Sequence, residues 1–501
     1  MFKSYFNTII ALTFGLFFNV TGFAQQKEAK IKFRSQYTEV DKKIGKGTQR
    51  LIGNVVFNHA GSEMYCDSAY FYSKKNSLDA YNDVYINQGD TLHVYGDFLN
   101  YNGNTKHAII KGNVRLINKE TTLTTDELEY DLGSNVGYYT KHGFIVNQQN
   151  TLESEVGHYY TRKKRIHFRD SVIIINPDYK IYSDTLQYDT ELGIAYFFGP
   201  TNIIGDSSHI YCEKGWYDTK NDLTELEDDA WILNEEQKIK GDYIYYNKIN
   251  GEGIAKKYVE LYDFEQDVIL TGNDSRYNEL TEYAFMTDSA QFIQISDMDS
   301  LFLHADSIIT YPDTSGQKVV IAYYNVKFYR SNAQGMCDSM VYTFSDSTVR
   351  LYGQPVLWTE EKQMSADFIE VITKNSAIYK MNLFSSSFIA EKKDTIGFDQ
   401  LKGRNMVCHF NKGELYKIDV NGNSQTVYYP LDGEEIIGVN VSKCSDMKIS
   451  LADGKVKKIN FYSNPVSVLY PLESAPENEL MLKGFDWLEF ERPKHKLDIF
   501  K

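Results

Sequence analysis

The sequence predicts an all-β chain built from a tandem repeat of about 29 residues. Three observations carry that prediction. An acid falls at Asp97, Asp126, Glu155, Asp184, Glu213 and Asp242, five successive intervals of 29, and each has a tyrosine four residues on, at Tyr101, Tyr130, Tyr159, Tyr188, Tyr217 and Tyr246. Ahead of the acids run short stretches rich in β-formers: "GNVVFN" at 53, "NDVYIN" at 82, "GNVRLIN" at 112, "DSVIIIN" at 170, "DDAWILN" at 228, "YNVKFY" at 324 and "QPVLWT" at 354. Clusters such as "YSKKNS", "YNGNTK", "DLGSN" and "TKND" separate them and read as turns, while helical periodicity is nearly absent.

Taken in chain order, residues 1–24 have a basic start at Lys3, an apolar run from Ile9 to Val20, and small residues Gly22 and Ala24 before Gln25. That is the pattern of a secretory signal peptide cut after Ala24. Its apolar core is short for a membrane span, and no later segment is long and apolar enough to cross a bilayer as a helix. Residues 25–46 read as a linker, and the repeats start at 47.

Within each unit, alternation sets Val55 with Phe57, Val84 with Ile86, Val114 with Leu116, Val172 with Ile174, Ala230 with Ile232, Val326 with Phe328 and Val356 with Trp358 on one face. The repeated acid is expected at a strand end, accepting hydrogen bonds from turn amides and keeping an edge from recruiting foreign strands. The tyrosines suit cross-strand packing. Upstream, "CDSAYFY" sets Asp67 with Phe71 in the tyrosine slot; downstream, Asp306, Asp338 and Asp367 carry the same opening. Between Asp242 and Asp306 the register slips, which divides the repeats into 47–260 and a more divergent 261–450, followed by a short mixed tail, 451–501. Edge-to-edge stacking of roughly two dozen strands gives a rod on the order of 100 Å long. A parallel β-helix with a filled interior and an antiparallel jelly-roll with an open apolar cleft both fit the period.

Composition removes several function classes. The 501 residues carry a net charge of -15, which repels polyphosphate and argues against nucleic acid as a partner. Five cysteines, an odd number with no CxxC pair, make neither a disulfide framework nor a zinc site by spacing. The ten histidines show no HExxH, and GxSxG, Walker and post-strand GxGxxG motifs are missing, so no enzymatic activity, metal or cofactor is expected.

The recurrent "GNV-x-[LIF]" run followed by an acid and a tyrosine resembles the organic-solvent-tolerance (OstA-like) family. It is carried best by "GNVVFNHAGSEMYCDSAYFY" (53–72), "KGNVRLINKETTLTTDELEYD" (111–131) and "SVIIINPDYKIYSDTLQYD" (171–189). The resemblance implies a splayed β jelly-roll whose apolar groove carries lipopolysaccharide acyl chains across the periplasm. It also implies docking, by edge strands, to inner- and outer-membrane transport proteins of similar β fold. The chain is longer than the simple bridge protein of that family, and its tail lacks room for the translocon's membrane barrel, so the bridge role is favoured.

On that reading the lipid groove is lined by Val55, Phe57, Val84, Ile86, Leu99, Val114, Leu116, Leu128, Val172, Ile174 and Leu186. Ordinary sealed core is the alternative for any one of them. The densest basic cluster, Arg162, Lys163, Lys164 and Arg165, with Arg169 beyond it, can meet headgroup phosphates, a solvated turn being the plainer reading. The rival functions are a structural or adhesive β-solenoid at the cell surface, which needs a filled interior, and a polysaccharide-active β-helix enzyme, which needs unrepeated acids clustered on one external face.

Overall fold

The computed structural model describes residues 30–501 apart from 41, 42, 44, 90, 91, 148, 161, 297, 298, 375, 376, 394, 395, 434 and 453, so the signal peptide read at 1–24 lies outside the described residues. The chain forms two compact units, one ending at Asn135 and the other running from Val136 to Lys501.

In the first unit the strands Thr48–His59, Ser62–Tyr72, Ser77–Gln88, Leu92–Asn102, His107–Asn118 and Thr121–Asp131 follow one another through turns of two to four residues. Two strands and two turns fill one 29-residue period. Turns that short can join only antiparallel neighbours, since a parallel return needs a crossover of a dozen or more residues. Every described strand pairing is antiparallel, which corrects the parallel β-helix alternative. The fold is all-β, a meander of sequence neighbours.

Each strand is bent at its middle. Ile52 pairs with Ser68 and Val55 with Cys66, so Gly53 and Asn54 together face the single Asp67. The same two-against-one bulge sets Asn82 and Asp83 against Asp97, Gly112 and Asn113 against Asp126, Asp170 and Ser171 against Asp184, and Asp228 and Asp229 against Asp242. Both residues of each pair have positive φ, 81° and 46° at Gly53 and Asn54. Gly, Asn and Asp tolerate that left-handed conformation best, which is why these residue types recur there. The "GN" read as a turn is therefore a kink inside a strand, and the repeated acid stands opposite it in mid-strand, not at a strand end. Asp97 accepts a hydrogen bond from Asn113 Nδ2 at 2.8 Å, and Asp306 from Asn325 Nδ2 at 3.0 Å. The turn amides belong to a different acid, five residues on: Asp131 accepts from the Gly133 N–H at 2.7 Å, Asp189 from Leu192 at 2.9 Å and Asp218 from Lys220 at 2.9 Å.

The kink keeps one face buried on both sides of the bend. Leu78 and Ala80 are buried before it, Val84 and Ile86 after it; Ala108 and Ile110 before, Val114 and Leu116 after. Each strand thus contributes one half to each of two walls that share a core. Phe57 on one wall and Phe71 on the other approach to 6.3 Å between ring centroids.

Strands also occupy the ends of the sequence-derived division. Inside the 25–46 linker, Lys32–Arg34 and Tyr37–Glu39 pair with the two halves of Thr48–His59, anchored by Phe33 against Phe71 at 5.3 Å. Inside 451–501, Lys455–Tyr462 and Val466–Tyr470 pair with Val439–Ala452, and only after Tyr470 does the chain give up strand for short 3-10 turns. At the slip read from sequence, Asp242 to Asp306 spans 64 residues, six more than two periods. A 3-10 turn at Glu279–Thr281, capped by Asn278, and a loop after Gln294 take up the excess while pairing continues through Tyr283–Thr287 and Gln291–Gln294.

Candidate functional site

The predicted groove residues divide between the two units. Val55, Phe57, Val84, Ile86, Leu99, Val114, Leu116 and Leu128 are all no more than 3% exposed, packed in the seam of the first unit. There the walls meet. His59 Nδ1 on one wall lies 2.7 Å from the Tyr101 hydroxyl on the other, and the Tyr130 hydroxyl donates to Gln88 Oε1 across the same gap at 3.3 Å. In the second unit Val172 and Leu186 are equally buried beside the kink, whereas Ile174, further from it, is only half-buried.

Beyond Ile174 the walls stand apart. A cavity of about 600 Å³ lies between Ile203, Ile210, Ile232, Ile239 and Leu261 on one wall and Tyr188, Tyr217, Tyr246 and Tyr277 on the other. The tyrosines sit where Tyr101 and Tyr130 sit in the first unit, and what differs is where their hydroxyls go. Tyr217 donates to Asp222 Oδ1 at 2.7 Å, in the turn that follows its own strand, and Tyr246 donates to Glu279 beside it. Among the described residues no hydrogen bond draws these two rings across, so the gap stays open. Tyr179 comes over from the isoleucine wall to meet Tyr217 edge-on at 6.3 Å. Burial first, and then the acceptor carboxylates, push the Tyr217 and Tyr246 phenols up; burial does the same to Tyr277. All three remain neutral donors at any physiological pH.

A second cavity of about 600 Å³ follows in the same unit, with Phe292, Leu301, Phe328 and Leu357 facing Val320, Met340, Leu351 and Val371. The volumes fall in the range of about 300–1,000 Å³ usual for small-molecule sites. The column read at Val356 and Trp358 is here the outer one: Leu357 pairs with Gly335, as Phe328 does, while Trp358 pairs with Gln334 and Gln363 on the other side of the strand. Sequence reasoning marked Ile232 as a face residue but missed Ile203, Ile210, Ile239 and Leu261. The available signal was the inward alternation carried two residues further from each kink.

The basic cluster is elsewhere. Arg162, Lys163, Lys164 and Arg165 are exposed in and after the turn following Val156–Tyr160, where Lys164 pairs with Glu191 at 2.8 Å and Arg165 with Asp189 at 3.2 Å. Lys163 lies over the Tyr160 ring and Arg169 pairs with Asp170. None of them lines either cavity.

Among the described residues no group of three His, Cys, Asp or Glu could hold a metal ion, and no helix is long and apolar enough to cross a membrane. All five cysteines are free thiols. Burial pushes Cys66, Cys212, Cys337 and Cys408 up to about 12, so they are unreactive, and the first three are small residues beside kinks.

The comparison with known proteins bears on this architecture in one place. No protein of curated function matches the chain. Residues 28–184 match the family described as OstA-like protein, and that stretch of the chain is an OstA-like segment, of the family its repeats resemble.

Proposed function

We propose that the chain is a non-enzymatic periplasmic carrier, exported by a cleaved signal peptide. It shields the acyl chains of lipopolysaccharide or a related glycolipid between its two walls on the way to the outer membrane. Transport proteins of similar β fold in the inner and outer membranes would dock on its edge strands, the mode by which an unpaired edge accepts a further strand. The OstA-like segment supports a role related to lipid transport. The observation that carries the reading is the cavity between the isoleucine and tyrosine walls.

Its energetic logic is simple. Exposing one CH₂ to water costs about 0.8 kcal/mol, so a chain of about a dozen carbons costs on the order of 10 kcal/mol. A dry space between two walls removes that cost without chemistry. The sealed seam of the first unit supports a second role for that part alone, as scaffold. A splayed groove is then confined to the second unit, and Val172, Ile174 and Leu186 lie outside the lining of its cavities.

The test is photo-crosslinking of an acyl probe from position 232 of the full chain. Labelling is expected at Ile232 and is expected to disappear when Ile210→Asp and Ile239→Asp put carboxylates into the cavity. Undiminished labelling in that double variant, with its circular dichroism unchanged, would refute the carrier reading.

A further inference from the structure

The mouth of the isoleucine–tyrosine cavity has a sign. Three carboxylates line it, Asp178, Asp222 and Glu279, against a single ammonium, Lys248. The remaining polar groups at the rim include the amides of Asn176, Asn234 and Gln237, which are neutral. Asp222 and Glu279 take the tyrosine hydroxyls described above, and among the described residues neither has an ion-pair partner.

The basic cluster at 162–165 is too far away to reverse that sign. The turns of the tyrosine wall stack in series: the Thr190 N–H donates to Lys164 O, Thr219 to Gly193 O, Lys248 to Asp222 O and Glu279 to Gly251 O. Lys164 is therefore two turns, or four strand spacings, from Asp222, roughly 19 Å. That exceeds the screening length of about 8 Å at physiological salt. The Lys164 and Arg165 side chains are in addition committed to Glu191 and Asp189.

We propose that this cavity selects amphiphiles whose head is a polyol or an amine and rejects heads that carry phosphate or carboxylate. The inference rests on the carrier reading and narrows its substrate class to a glycolipid that presents hydroxyls or ammonium, not phosphate, at this mouth. Hydroxyls and ammonium groups donate to carboxylate oxygens, whereas a phosphate only accepts and meets like charge at close range. The acyl chain packs against the isoleucines in either case, so the head decides.

Three amphiphiles with the same twelve-carbon chain, dodecylamine, dodecyl maltoside and dodecyl phosphate, would compete below their micelle concentrations with the acyl photoprobe at Ile232, in chelator and at physiological salt. The amine and the maltoside are expected to displace the probe on the order of tenfold more effectively than the phosphate, as like-charge juxtaposition at a binding site predicts. Asp222→Asn with Glu279→Gln keeps a carbonyl oxygen to accept each tyrosine hydroxyl and is expected to abolish the discrimination. Dodecyl phosphate competing as well as the maltoside in the unaltered protein overturns the proposal, and that comparison needs no variant to fold. Failure of all three, the neutral maltoside included, overturns the carrier reading and this inference with it.

Discussion

Tyr101 hydroxyl and His59 Nδ1, 2.7 Å apart, join the two walls of the first unit, with the rings edge-on at 5.7 Å. Tyr101 is fully buried, and burial, then the nearby Asp131 carboxylate, push its phenol up, so its hydroxyl keeps its proton at physiological pH. Tyr101→Phe keeps the ring and removes the bond, and should cost about 0.5–1.5 kcal/mol. Tyr101→Ala also opens a void in the seam and should cost about 3–5 kcal/mol, by analogy with large aromatic deletions. Urea unfolding measures both. All four tryptophans, Trp216, Trp231, Trp358 and Trp487, lie in the second unit. Tryptophan fluorescence should accordingly shift less than the far-ultraviolet circular dichroism transition.

The period, the strand content and the inward column were legible because a two-residue alternation and a 29-residue spacing both survive in the sequence. The kink was not legible as a kink, since Gly-Asn and Asn-Asp signal left-handed backbone in turns and in bulges alike. Its consequence for the acids was hidden for the same reason. Asp126 stands opposite a bend, while Asp131, outside the motif, does the work first assigned to Asp126. Nor could the sequence separate seam from cavity. Leu116 and Ile232 share one alternation, and what parts them is the partner of a distant tyrosine: Tyr101 faces His59, whereas Tyr217 finds Asp222 in its own turn.

Asp218 gives those turn carboxylates a measurable consequence. The Asn221 side-chain amide holds its carboxyl below the ordinary range, and the backbone N–H groups of Lys220 and Asn221 add to this against the opposing cost of burial. The unfolded chain then binds its proton at higher pH than the folded one. The stabilisation is fully present above the unfolded value of about 3.9 and is lost as pH falls through the lower folded value. Asp218→Asn should flatten the acid limb of the stability profile below about pH 4, read from Tm against pH by calorimetry. An acid limb as steep as that of the unaltered protein would show that the carboxylate is not held by its turn.

Beyond Tyr470 the chain lies across the outer side of one wall, and two buried glutamines hold it there. Gln363 Nε2 donates to Asp486 O at 2.6 Å while its Oε1 accepts the Leu488 N–H at 2.7 Å; Gln400 does the same to Leu480 O at 2.7 Å and the Leu482 N–H at 2.9 Å. Each amide therefore pairs with the carbonyl of one residue and the N–H of the residue two further on. Arg492 Nε donates to Gln334 Oε1 at 2.8 Å further along. Leu482 completes a cluster with Phe388, Val427, Tyr429, Val439 and Val441, so that wall carries a core on its outer side as well. Gln363→Leu leaves the Asp486 carbonyl and Leu488 N–H without these partners and takes away the acceptor of Trp358 Nε1, 3.1 Å away. A loss of about 1–3 kcal/mol for a buried group left unsatisfied is expected. Leu is close to Gln in volume, so the effect should be polar and not steric. Limited trypsinolysis should then cut at Lys494 and Lys496 faster than in the unaltered protein, with the strands before Tyr470 resisting in both. Equal cutting rates would mean that Leu482 and its apolar neighbours, not the glutamine amides, hold the segment in place.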